Sequence, residues 1–179
     1  FAIARVGAII NPVNTMLTPS EIIYVVNDCG AKTIICSEDK IQALEDIRKH
    51  TQIRNIISFG RKSDEIQSFS SIIAKNFSID KQPNVSAKDL STIAYTSGTT
   101  GHPKGAMQSH EAVILNGSMT SQLHLRGPDD IIVSALPCPH VYANVLMTGM
   151  MMFGTKLILH KIFEVDTIFA SIKANKATI

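Results

Sequence analysis

Short apolar runs alternate along this chain with longer segments in which apolar residues recur at helical spacing. The runs Thr33–Cys36, Asn55–Phe59, Ile131–Ala135 and Lys156–His160 each carry consecutive apolar residues, as buried strands do. Parallel strands need a crossover connection, which is usually a helix. The alternation therefore predicts an α/β fold with parallel sheets flanked by helices on both faces.

Helix boundaries are marked by capping signals. Thr18-Pro19-Ser20-Glu21 supplies an N-cap hydroxyl, a proline at the first helical position and a glutamate at the third. This predicts a helix over Pro19–Asp28 that stops at Gly30. Further helices are predicted at Glu38–Lys49, Asp64–Lys75, His110–Leu125, Val141–Phe153 and from a cap at Asp166 to Asn175. Ala8–Ile10 is predicted as one more short strand.

A loop rich in hydroxyls and glycine follows the apolar run Ser91–Ala94. Its glycines can bring main-chain N–H groups close to an anion, and its hydroxyls and lysine add donors and positive charge. These residues are Ser97, Gly98, Thr99, Thr100, Gly101, Lys104 and Gly105. A second strand predicted at Ala106–Ser109 would place the loop in a hairpin spanning residues 91–109. The composition indicates a loop that holds phosphate.

The loop does not have the Walker A spacing, since Gly-Thr-Thr-Gly-His-Pro-Lys-Gly runs from Gly98 to Gly105. It resembles, position by position, the signature of the adenylate-forming superfamily, which includes acyl-CoA synthetases, luciferases and peptide-synthetase adenylation domains. The resemblance implies a fragment of the large N-terminal α/β domain. The chain-breaking run Gly127-Pro128-Asp129-Asp130 predicts a boundary there, with residues 1–126 in a first subdomain and 127–179 opening a second. The resemblance also implies that the loop closes on the phosphates of ATP. The implied contacts are Thr96, Ser97, Gly98, Thr99, Thr100, Gly101, Lys104 and Gly105, with Thr96 also a candidate for Mg²⁺ carried by ATP.

A second constellation surrounds His140 in the segment Leu136–Ala143. A lone histidine is more often structural, but the resemblance assigns His140 to the mouth of the acyl pocket, where it orients the carboxylate beside the phosphates. With Lys104 it forms the implied catalytic set. Val141, Tyr142 and Ala143 would line the pocket. Ala143 stands where the family usually has glycine, and Cys138-Pro139 replaces a bulkier apolar pair.

The segment Arg5–Asn14 resembles the acyl-CoA synthetase form of an upstream motif, because adenylation domains more often have aspartate where Asn14 stands. Together with Tyr142 and the apolar run after it, this favours a fragment of an ATP-dependent, AMP-forming acid–CoA ligase for a medium- or long-chain fatty acid. Its cofactors would be ATP, Mg²⁺ and coenzyme A. The alternatives are an aryl-acid or amino-acid adenylating enzyme, or a catalytically silent binding module of the same fold. The isolated chain is expected to be inactive.

Composition excludes several other classes. The formal charge is +2, and lysine and arginine are scattered, so no nucleic-acid face is predicted. Cys29, Cys36 and Cys138 have no metal spacing, and the six histidines are dispersed, so we predict no zinc site and a cytoplasmic protein. The segment 131–155 has no charged residue, but Pro137 and Pro139 interrupt it, which indicates buried core rather than a membrane span.

Overall fold

The computed structural model describes residues 1–60, 65–75, 82–96 and 103–179. Its helices are α1 (Ala2–Arg5), α2 (Pro19–Asp28), α3 (Ile41–Lys49), α4 (Phe69–Ile73), α5 (His110–Leu123), α6 (Val141–Phe153) and α7 (Val165–Asn175). Its strands are β1 (Thr33–Ser37), β2 (Asn55–Phe59), β3 (Ile66–Ser68), β4 (Leu90–Thr96), β5 (Lys104–Ser109), β6 (Ile131–Ser134) and β7 (Lys156–Leu159). No helix within the described ranges is long and apolar enough to cross a bilayer.

Of the three sheets that the described residues form, two are parallel. Strands β1, β2 and β3 lie side by side in that order, with Ile34 beside Ile56 and Ile56 beside Ile66. Strands β6 and β7 form a parallel pair with Ile132 beside Leu157. The predicted α/β class with parallel sheets is confirmed: α3 joins the parallel neighbours β1 and β2, and α6 joins the parallel neighbours β6 and β7.

The chain divides into two compact units. Unit 1 comprises Phe1–Asn84 and Tyr95–Gly105, and unit 2 comprises Val85–Ala94 and Ala106–Ile179. Strands β4 and β5 form a two-stranded sheet, and each has residues in both units. The subdomain boundary expected between residues 126 and 127 concerns the complete parent domain and stays a prediction.

Unit 1 is built on an apolar cluster beneath its three-stranded sheet. Helix α3 presents Ile41, Leu44 and Ile47 to Ile56 and Ile66, and all five are buried. Each fully buried isoleucine contributes about 2 kcal/mol relative to an exposed one. The predicted helical spacing of α3 therefore defines its core face.

Helix α2 begins and ends where the capping signals predict. The hydroxyl of Thr18 accepts a hydrogen bond from the Glu21 amide, and the Glu21 carboxylate accepts from the Thr18 amide, which is a complete capping box. These bonds lower the pKa of Glu21, the Thr18 backbone bond contributing most. The chain leaves the helix through Gly30, whose φ of +65° is accessible to glycine.

Unit 2 is organised by helices α5 and α6, which pack through small residues. A Cβ added to Gly117 would lie 2.6 Å from Thr148 Cγ2, and one added to Gly149 would lie 2.4 Å from Ser121 Oγ. Such distances leave no room for a side chain at either glycine. Helix α6 runs over Val141–Phe153 as predicted and ends at Gly154 with φ +74°.

The helix predicted over Asp64–Lys75 is wrong in its first half. Asp64 lies outside the described residues, Ile66–Ser68 is a strand, and only Phe69–Ile73 is helical. Ile66 and Ser68 are buried while Gln67 is exposed, so the segment alternates as a strand does. Pairing with β2 outweighs the helical spacing of its apolar residues.

Four smaller predictions are corrected. Of Ala8–Ile10 only Ile10 makes a β-bridge, because Asn11-Pro12 follows and Ile9 stays exposed. The first turn of the helix predicted at Glu38 is a 3₁₀ turn, without a side-chain cap from Ser37. Glu164, not Asp166, occupies the N-cap of α7, where its carboxylate accepts from Thr167 Oγ1. Helix α5 ends at Leu123 rather than at the predicted Leu125, and its N-cap is Ser109.

Candidate active site

The predicted phosphate loop connects two adjacent strands. Strand β4 ends at Thr96, and its sheet neighbour β5 begins at Lys104. The two strands are hydrogen-bonded neighbours in one sheet, as a hairpin requires. The hairpin expected over residues 91–109 stays a prediction. Ser97, Gly98, Thr99, Thr100 and Gly101 lie outside the described residues.

The two flanking polar side chains are accessible. Thr96 and Lys104 are exposed, while Gly105 is half-buried. Within the described ranges the Lys104 ammonium forms no ion pair, so its charge is not committed to a carboxylate there. A hydroxyl and a lysine at the ends of neighbouring strands suit a polyphosphate, which binds through charge-assisted hydrogen bonds.

The residue before Thr96 is tied to helix α2. The Tyr95 hydroxyl donates a hydrogen bond to the Asp28 carboxylate, and both residues belong to unit 1. Burial of the ring and this bond raise the pKa of Tyr95. Asp28 is the last residue of α2, whose final turn has no basic residue. A carboxylate there opposes the helix dipole, so Tyr95 supplies a compensating partner.

His140 caps the N-terminus of α6. Its Nδ1 accepts a hydrogen bond from the Tyr142 amide at 3.1 Å, and its own amide donates to the Pro137 carbonyl at 2.8 Å. Because a main-chain amide can only donate, Nδ1 carries no proton and the neutral ring is protonated at Nε2. The residue is exposed, so the capping bond leaves Nε2–H available to donate to an oxyanion.

The three residues after His140 differ in accessibility. Val141 is 49% exposed and Tyr142 37%, whereas Ala143 is 3% exposed. The Tyr142 hydroxyl accepts a hydrogen bond from Arg126 Nη2 at 3.2 Å. Val141 and Tyr142 are thus the accessible members of the predicted pocket, while the methyl group of Ala143 packs inside unit 2.

The structure groups the predicted site residues in two sets. Thr96, Lys104 and Gly105 lie in unit 1, and the four residues from His140 to Ala143 lie in unit 2. Sequence reasoning missed Arg126, which contacts Tyr142 of the second set, and Asp28, which contacts Tyr95 next to the first set. An acidic residue in the last turn of α2 was a signal for Asp28, since it is unfavourable without a partner. Arg126 had no comparable signal.

Comparison with known proteins decides the family. The model of the family described as AMP-binding enzyme matches residues 1–179, the whole chain. The chain belongs to this family. The resemblance to adenylate-forming enzymes predicted from the sequence is therefore confirmed at the level of the family.

Relatives of this AMP-binding chain include acid–CoA ligases with different acids. It is 28% identical to an indoleacetate–CoA ligase of Aromatoleum aromaticum, over 100% of this chain and 36% of that protein. It is also 28% identical to a long-chain-fatty-acid–CoA ligase of Salmonella typhimurium, over 80% of this chain and 31% of that protein. The chain thus spans about a third of the length of these relatives.

A solved structure supports the fold of the AMP-binding chain. ATP-bound MatB from Rhodopseudomonas palustris is 28% identical and matches with a TM-score of 0.77, over 96% of this chain and 34% of that one. The resemblance covers both units, and the fold is that of part of the N-terminal domain of adenylate-forming enzymes.

Proposed function

We propose that the protein containing this chain is an ATP-dependent, AMP-forming acid–CoA ligase. The observation that carries the proposal is that β4 and β5, the strands on either side of the loop signature, are sheet neighbours in a chain matched over its whole length by the AMP-binding family. The ATP in the MatB structure and the ligase relatives support it. A medium- or long-chain fatty acid is the proposed substrate, supported by the apolar residues that follow Tyr142 in α6.

The proposed reaction has two steps. A carboxylate oxygen of the acid bonds to the α-phosphorus of ATP, and the bond from that phosphorus to the bridging oxygen breaks, so that pyrophosphate leaves. The CoA thiol sulfur then bonds to the acyl carbon, losing its proton, and AMP leaves. Lys104 and the loop hydroxyls would offset the charge of the leaving pyrophosphate, because fixed donors stabilise developing charge. Magnesium would enter with ATP, and Thr96 is the candidate residue near it.

His140 would act on the acid side of the reaction. Its Nε2–H is set by the bond from the Tyr142 amide to Nδ1 and would donate to a carboxylate oxygen. A carboxylate that is oriented before it attacks the α-phosphorus reacts over a lower activation barrier. A cytoplasmic location belongs to the same proposal and is supported by the three free cysteines.

The experiment is acid-dependent exchange of labelled pyrophosphate into ATP by the full-length parent protein. Fatty, aryl and amino acids are compared, and the isolated 179-residue chain is assayed beside them. We expect exchange with fatty acids and none with the isolated chain. Exchange only with aryl or amino acids would replace the proposed substrate class, and no exchange with any acid would favour a silent binding module.

A further inference from the structure

A buried arginine lies beside the predicted acid-binding residues. Arg126 follows α5, where its amide donates to the Ser121 carbonyl at 2.9 Å and the preceding Leu125 has φ +51°. The side chain is only 7% exposed. The turn at the end of α5 therefore fixes the backbone from which the guanidinium extends.

The guanidinium is incompletely satisfied. Nη2 donates to the Tyr142 hydroxyl, but Nε and Nη1 are buried without a hydrogen-bond partner among the described residues. Asp130 partly offsets the charge of the guanidinium. The pKa of the Asp130 carboxyl is lowered, mainly by the hydrogen bond from the Gly127 amide and in part by the positive charge of Arg126. A buried donor left unpaired costs about 1–3 kcal/mol. An apolar residue would avoid that cost, and what the arginine adds in return is the hydrogen bond to Tyr142.

Tyr142 is held at both ends. Arg126 binds its hydroxyl at 3.2 Å, and its amide donates to His140 Nδ1 at 3.1 Å. Tyr142 lies in the first turn of α6, whereas the close contacts between α5 and α6 involve Thr148 and Gly149 farther along the helix. The bond from Arg126 is therefore a separate attachment of the helix start to the end of α5.

We propose that Arg126 is a positioning residue for acid binding, which holds the Tyr142 hydroxyl and thereby fixes the first turn of α6 and the orientation of the His140 ring. This inference rests on the proposed ligase function. It assigns Arg126 no contact with substrate. Its effect is transmitted through Tyr142, and a variant should act on the acid rather than on ATP.

The test compares Arg126→Met, Tyr142→Phe and the double variant in the full-length protein by pyrophosphate exchange. Each single change should raise KM for the acid about 10-fold, since small misplacements near a reacting group are costly, and leave KM for ATP unchanged. The double variant should be no worse than either single one, because both remove the same bond. Arg126→Lys, which keeps a donor, should fall between. Arg54→Met, at an exposed arginine of unit 1, is the matched control.

The inference would be overturned if the variants raised KM for the acid and KM for ATP equally, or if their kinetics were unchanged. It would also be overturned if the effects of Arg126→Met and Tyr142→Phe added up in the double variant. Tyr142→Phe removes one hydroxyl and carries the test if Arg126→Met does not fold. If the wild-type protein shows no acid-dependent exchange, the proposed function fails, and the inference is judged by ¹⁵N NMR of the His140 ring. Both variants should lose the pattern of a bare Nδ1 and protonated Nε2, and an unchanged pattern would refute the positioning role.

Discussion

The phosphate side and the acid side of the proposed site are held by different means. Thr96 and Lys104 stand at the ends of neighbouring strands, and Tyr95, next to Thr96, contacts Asp28, which is 67 residues away in sequence. His140 is instead held by bonds to residues two and three positions away. A local motif thus positions the acid-side histidine, whereas the phosphate side depends on a distant part of the chain.

The largest effect is expected from Lys104→Ala on the phosphate side. Loss of a cation facing the leaving pyrophosphate should reduce exchange about 10²–10³-fold. Lys156→Ala is the matched control, because Lys156 is also exposed and also begins a strand. Exchange that falls equally in both variants would show that Lys104 has no special place in the site.

On the acid side, His140→Asn separates capping from chemistry. Asparagine is a good N-cap, so this variant should keep the stability that His140→Ala loses, about 1 kcal/mol. Both changes should reduce exchange about 10–100-fold, because neither residue offers the Nε2–H donor. Urea unfolding and exchange assays of the two variants check this. Normal exchange in His140→Asn would leave His140 a structural cap.

The distant contact on the phosphate side predicts a smaller, selective effect. Asp28→Ala should raise KM for ATP about 3–10-fold with KM for the acid unchanged, as expected for loss of one hydrogen bond to a charged group. Asp28→Asn keeps an acceptor for Tyr95 and should restore most of the affinity. Thr18→Ala, at the other end of α2, should lower stability alone. If Asp28→Ala also changed KM for the acid, the phosphate side and the acid side of the proposed site would not be held independently.

The same contact makes a smaller prediction about pH. The pKa of Tyr95 is raised above its ordinary value of 10.0 by burial and by the Asp28 bond, so the folded state favours the neutral phenol. The resulting stabilisation is present below pH 10 and is lost as pH rises through the higher folded pKa. Subtracting the ultraviolet titration curve of Tyr95→Phe from that of the wild type should leave the curve of one tyrosine, which ionises above pH 10. A difference curve with its midpoint at the ordinary pKa of tyrosine would contradict the contact of Tyr95 with Asp28.

The sequence predicted what depends on neighbouring residues. The capping box of α2, the bounds of α6 and the core face of α3 follow from local spacing and from amide donors that must find partners. The strand at Ile66–Ser68 was missed because pairing with β2, not local preference, determines it. The partners of Tyr95 and Tyr142 were missed for the same reason, since no local pattern specifies a contact made through the fold.

The glycine contacts between α5 and α6 bear on how acid preference can diverge in this protein. A side chain at Gly117 would have to displace Thr148, and one at Gly149 would have to displace Ser121, so substitution at either glycine disturbs the contact between the helices. Val141, which is exposed at the start of the same helix, is free of this constraint. Libraries that aim to change the acid should therefore vary Val141 and keep the two glycines.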